Sequence, residues 1–264
     1  MSRQKIEIML QFESWNSYWN FQHSVSRELR FIRKPDAEQF LETVLETSKK
    51  RIVDVKEGRI FWRAQLGHEW REEGDEEKFD VPCAFSTSRM KPLRDRATDG
   101  RANAKGIPCL YLASRETTAV SEVRPWIGSY VSLAQFKLLR SIKLIDCSWG
   151  HGKSNFYFGE PAPEEREEAV WAAIDQAFSE PMTQSDNSAA YVPTQIIAEL
   201  FKRAGYDGIA YRSNFGENGH NIAIFDLDAA DLLNCGLHEV DKIELKYSQR
   251  DNPYFVTKYL SKPI

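Results

Sequence analysis

The chain has 264 residues, 42% apolar and 28% charged, with a net charge of -4, the make-up of an ordinary globular protein long enough for a sizeable core. The near-neutral balance weighs against a dedicated nucleic-acid binder, no run reaches the ~20 apolar residues needed to span a bilayer, and the start MSRQKIEIML lacks the pattern of a signal peptide. The expectation is therefore a cytoplasmic protein, with neither nucleic acid nor a membrane as partner. Cys83, Cys109, Cys147 and Cys235 are scattered without a Cys-x-x-Cys pair, and the five histidines show no ligand spacing. This pattern predicts buried free thiols in a reducing compartment and no metal site.

In chain order, residues 11–50 are rich in helix formers and aromatics. Trp15, Tyr18 and Trp19 recur at helical spacing, and Phe40, Leu41, Val44 and Leu45 follow in a second segment. They predict a helical N-terminal segment, 1–55, whose aromatic face either docks on the main body, 56–264, or stays exposed for a partner. Residues 60–64 read as the first strand of the main body, and the Arg63 embedded in it either snorkels at an edge or aims at an anion. The acidic run 69–80 reads as a solvated loop. Residues 86–101 form a second loop, basic through Arg89, Lys91, Arg94, Arg96 and Arg101, which either lines a phosphate pocket or is plain surface.

The stretch 99–126, DGRANAKGIPCLYLASRETTAVSEVRPW, is the densest in chemistry. It reads as a turn-rich approach, a short strand at 109–113 and a helix. Alternation puts Leu110 and Leu112 on one strand face and Tyr111 on the other. Ser114 is a good helix N-cap, Glu116 sits in the first turn, and Pro125 ends the pattern. Glu122 lies near the helix C-terminus, where the dipole disfavours a negative charge. Spacing alone explains it as an exposed acid beside Arg115 or Arg124.

Further on, 130–137 and 141–147 suggest strands, and 164–178 an amphipathic helix with Val170, Ile174 and Phe178 four apart, stopped by Pro181. A polar loop holds Ser185, Asp186 and Asn187. A second helix, 194–204, is capped by Thr194 and closed by Gly205. Strands at 206–213 and 221–226 form a hairpin across a glycine-bearing loop, with Ser213 at its mouth. Short strands at 243–247 and 254–259 complete the pattern. Gly100 and Gly106 give no G-x-G-x-x-G, which excludes a dehydrogenase-type dinucleotide site.

Three separated blocks, Arg63 in FWRAQ, then GRANAKGIPCLYLASRETTAVSEVRP, then TQIIAELFKRAGYDGIAYRSNFGENGHNIAIFD, resemble in order and spacing the RES-domain family, over about 61–226. The resemblance implies an α+β fold with a mixed, largely antiparallel sheet and flanking helices, similar to the ADP-ribosyltransferase toxins. It also implies an intracellular toxin or defence effector that degrades NAD+ by phosphorolysis or hydrolysis. Transfer of ADP-ribose to a protein is an alternative activity, and a non-catalytic nucleotide-sensing module a further one. NAD+ is then substrate rather than cofactor, phosphate a possible acceptor, and an antitoxin or regulatory protein a possible partner. The family pairs a strand tyrosine with a glutamate eleven positions on, here Tyr111 and Glu122. Arg63 and Ser213 take its Arg and Ser places. The chain departs from the family in carrying Ala102 where an aromatic commonly follows the Gly-Arg pair, and in its helical N-terminal segment and acidic insertion.

These residues suit the chemistry. Nicotinamide leaves a pyridinium as a neutral molecule, so the cleavage needs no general acid, only stabilisation of an oxocarbenium-like cation. Glu122 would supply charge and a hydrogen bond to a ribose hydroxyl, Arg63 would clamp the pyrophosphate, Tyr111 would offer its ring face to the nicotinamide, and Ser213 would donate to a phosphate or ribose oxygen. Arg101 is a second phosphate candidate, and His220, beside the hairpin, a minor candidate for facing the pocket.

Overall fold

Pro35 in the first turn, with Asp36 and Glu38 behind it, starts a helix well, because proline's missing N–H is an orphan there and acids favour the positive helix end. In the computed structural model this is α2 (Pro35–Ser48), packed on α1 (Ser17–Arg27). The structure describes residues 10–148, 150–151, 157–181, 188–215, 218–245 and 247–249. Tyr18, Phe21 and Val25 of α1 meet Phe40, Leu41 and Val44 of α2, with the Phe21 and Phe40 rings stacked at 4.6 Å. The same apolar cluster takes in Trp171 and Phe178 of α5 (Pro163–Ser179) and Phe201 of α6 (Val192–Arg203). The aromatic face is thus divided: Tyr18 docks, whereas Trp19 is 46% exposed and meets Trp15 edge-on.

Eight strands form one sheet: β1 (Ile52–Val55), β2 (Ile60–Leu66), β5 (Leu110–Ala113), β6 (Tyr130–Leu138), β7 (Ile142–Asp146), β8 (Gly208–Arg212), β9 (His220–Ile224) and β10 (Ala230–Glu239). Their order is β1-β7-β8-β9-β5-β2-β6-β10, parallel between β7 and β8 and antiparallel elsewhere. This is the α+β class expected. Between β2 and β5 the described ladder is the one pair Trp62↔Ala113, although each strand pairs along its length with its other neighbour. Leu110, Leu112, Ile222 and Ile224 from one half pack on Phe61, Phe136 and Leu138 from the other. Tyr111, on the opposite face of β5, joins the cluster under the helices, as alternation requires.

Several local expectations are corrected. The acidic run is a two-stranded hairpin of β3 (Glu69–Glu73) and β4 (Phe79–Cys83), in which Trp70, Phe79 and Val81 supply β formers that the charges masked. The basic loop contains a helical turn, α3 (Thr87–Met90), anchored by fully buried Met90. Ser114 does not cap α4 (Glu116–Glu122): Arg115 holds the N-cap position, and the Ser114 hydroxyl accepts the N–H of His220 instead. Likewise α6 starts ahead of Thr194, whose hydroxyl donates back to the Tyr191 carbonyl. Gly205 ends that helix at φ 86°, as expected. Edge strands β1 and β10 have no counterpart in the sequence reading. Residues 243–245 are not strand; 185–187 and 254–259 lie outside the described residues. All four cysteines are free, but only Cys109 and Cys147 are buried, and burial pushes the Cys109 thiol up to about 12.

Candidate active site

A sheet that parts at one seam leaves a concavity along it, and the cleft lies there. β2 contributes Arg63, β5 Tyr111, the last turn of α4 Glu122, and the β8–β9 pair Tyr211 and Asn221, around a cavity of about 530 Å³. A second cavity of about 540 Å³ is lined by Arg101, Arg124, Trp126, Ser179, Tyr191 and Phe215. Leu66, Glu122, Val123, Tyr211 and Asn221 line both, so Glu122 stands on the partition between two lobes, each within the ~300–1,000 Å³ usual for ligand pockets.

The Glu122 carboxylate is held by one oxygen. Ser213 donates its hydroxyl to Oε1 at 2.6 Å, and Asn221 donates Nδ2 to the same oxygen at 2.6 Å. Ser213 is fixed in turn by the Phe215 N–H, which reaches its Oγ at 3.0 Å. Neither donor takes Oε2. That the acid sits in the last turn of a helix, where the dipole opposes it, is offset by two short donors from the neighbouring hairpin.

Arg63 reaches across the seam, where Nη1 donates to the Tyr111 carbonyl at 2.8 Å. Its Nε is buried without a partner, and among the described residues no carboxylate pairs with it. Burial lowers its pKa to about 10, so it stays charged at neutral pH. A desolvated guanidinium with spare donors favours a bound anion.

Tyr111 commits its hydroxyl to the turn before it, donating to Asn103 Oδ1 at 2.6 Å and accepting the Ala102 N–H at 2.9 Å. Burial raises its pKa well above 10, which removes it from acid–base work at neutral pH. Ala102 therefore contributes its N–H and is itself buried. From α6, Gln195 braces the turn by donating to the Gly100 and Asn103 carbonyls, both at 3.0 Å. A Cβ on Gly100 would collide with the Tyr111 hydroxyl and Asn103 Oδ1. Gly100→Ala is therefore expected to cost about 1–3 kcal/mol by overpacking. Tyr111→Phe in the same chain should restore part of the Tm, because it removes the obstructing atom; strictly additive losses would refute the contact.

The structure brings Arg63, Tyr111 and Glu122 together around the first lobe, whereas buried Ser213 lines neither lobe and gives its hydroxyl to Glu122, so it holds the carboxylate rather than facing a ligand. Arg101 lies in the second lobe, where its guanidinium donates to the Ala177 carbonyl at 3.0 Å and to the Glu180 carbonyl, leaving it poorly placed for phosphate. Arg89 of the basic loop lines the first lobe, while Lys91 and Arg94 pair with Asp231 and Asp228 on the surface. Asn221 and Tyr211 were not anticipated. Alternation places Tyr211 on the same strand face as Ser213, and the β8–β9 register sets it opposite Asn221. His220 is absent from the residues lining either lobe. Its pKa is lowered, by burial first and then by Arg212. The folded state thus resists its protonation, and stability should fall as pH drops below about 6.5, the unfolded value. His220→Asn should flatten that acid limb in Tm against pH. Among the described residues no group of His, Cys, Asp and Glu is arranged to hold a metal ion, and no helix is long and apolar enough to cross a membrane.

Fold and site together define an α+β protein with a carboxylate-centred double cleft at a sheet seam. The chain belongs to the RES-domain family, whose profile matches residues 60–248. Among solved structures it is similar to the M. tuberculosis MbcT–MbcA toxin–antitoxin complex, at 12% identity and a TM-score of 0.40 over 75% of this chain and 92% of that one. No curated protein matches it.

Proposed function

We propose that this chain is an NAD+-consuming toxin or effector that cleaves the nicotinamide–ribose bond by phosphorolysis or hydrolysis. The observation that carries the reading is the clamp on Glu122: two donors on Oε1 fix the carboxylate of a residue that lines both lobes and leave Oε2 to neither of them. A carboxylate so fixed can accept a hydrogen bond from a ribose hydroxyl and stabilise positive charge at the ribose carbon without reorganising. Arg63 then binds pyrophosphate, and the Tyr111 ring, its hydroxyl held away, faces the cationic nicotinamide. In this reading a partner protein of the antitoxin kind restrains the activity. The test is nicotinamide release from NAD+ by the purified chain, with and without inorganic phosphate. Release is expected; none under either condition, from protein that circular dichroism shows to be folded, would overturn the reading.

A further inference from the structure

Arg124 follows Glu122 by two residues, just beyond the end of α4, and its φ is 47°. That left-handed backbone is one glycine adopts freely; for a side chain with a Cβ it costs about 1–2 kcal/mol. Pro125 comes next and excludes a further helical turn. Such strain persists where the displaced side chain has use. The Arg124 guanidinium lies 5.0 Å from the centroid of the Phe215 ring, in the second lobe, and among the described residues no carboxylate pairs with it. The lobe's other guanidinium, on Arg101, is occupied by the Ala177 and Glu180 carbonyls. Arg63 and Tyr111 line only the first lobe. The two lobes therefore differ in lining: one holds a desolvated guanidinium beside an aromatic face, the other the exposed Arg124 guanidinium, and Glu122 lines both.

We propose that Arg124 is the anion-binding residue for the acceptor, and that the second lobe admits phosphate, free or as the head of a small ester, to the ribose carbon from the side opposite nicotinamide. The inference rests on the proposed NAD+ cleavage for its chemistry. With hydrogen phosphate as acceptor, a phosphate oxygen forms the bond to ribose C1 as the C1–nitrogen bond breaks. The electron pair of that bond leaves with nicotinamide and neutralises the pyridinium. The product is ADP-ribose 1-phosphate, and no oxidant or further proton donor is required. With nicotinamide in the first lobe, as the proposed cleavage has it, an anion seated on Arg124 would enter by the second lobe, on a path that does not cross the leaving group.

The backbone supplies an unusual test, because Arg124→Gly relieves the strain while removing the charge. Inorganic phosphate and glycerol phosphate are each added without NAD+, and the shift in Tm is read for the full chain, Arg124→Gly and Arg124→Lys. Release of nicotinamide is then measured against phosphate concentration. Expected are an unliganded Tm for Arg124→Gly at or above wild type, an anion-induced Tm shift cut to the part that Arg63 alone supports, and a rise of at least tenfold in half-saturating phosphate, with Arg124→Lys between. A response to glycerol phosphate alone would support the site and identify an ester as its occupant. An equal anion response in wild type and Arg124→Gly, or none in wild type, would overturn the inference. The Tm arm does not depend on turnover, so a chain that releases no nicotinamide but binds phosphate through Arg124 would refute the proposed function and leave the anion site standing.

Discussion

Glu122→Gln is expected to slow nicotinamide release by about 10²- to 10³-fold, the usual loss for one preorganised electrostatic partner, while NAD+ still binds. The substitution isolates charge from shape. A glutamine carbonyl oxygen can accept from both Ser213 and Asn221, as Oε1 does now, so the clamp and the fold survive. The negative charge that the proposed cleavage sets beside the ribose does not. The loss should therefore fall on kcat rather than KM, since the cation it stabilises develops only on the way to the transition state. Glu122 is exposed in the structure, as spacing alone suggested; a kcat within a few-fold of wild type would leave it a surface acid with no part in the chemistry.

For Arg63→Met the expected signs oppose one another. KM for NAD+ should rise about 10- to 100-fold, since hydrogen bonds to a charged group are worth about 1.5–3 kcal/mol. Tm should stay level or rise, because the variant removes a desolvated cation that has a carbonyl but no carboxylate among its described partners. A structural arginine would show the reverse, a lower Tm with KM unmoved. Following both quantities in one variant decides between snorkelling and anion binding, the two readings that the strand sequence left open.

What the sequence discloses depends on how local the cause is. The face of Tyr111 follows from strand alternation, and the oddness of Glu122 from its place on a short helix. Arg63 and Ser213 are separated from them by many residues, and only the spacing of the three blocks ties them to the same site. Asn221 escaped notice because its role depends on the register of β9 against β8. Ser114 misled because β9 claimed its hydroxyl through the His220 N–H, a tertiary demand that outranks a local preference for capping. The β3–β4 hairpin was hidden by acids on both strands, and β10 by Asp231, Asn234 and Gly236, residues tolerated because that strand lies at the sheet edge. The single pair Trp62↔Ala113 is the least legible feature of all, since it consists of bonds the sheet does not make.

That omission sets a direction for evolution in the laboratory. Each ladder bond forgone between β2 and β5 would contribute about 0.5–1.5 kcal/mol if made, so a library sorted for heat resistance alone will drift toward zipping the two strands together. Winners of such a selection are expected to be catalytically silent. Hardier chains that keep their chemistry will instead draw their gains from distant positions, such as the packing of α1 and α2 on α5 and α6.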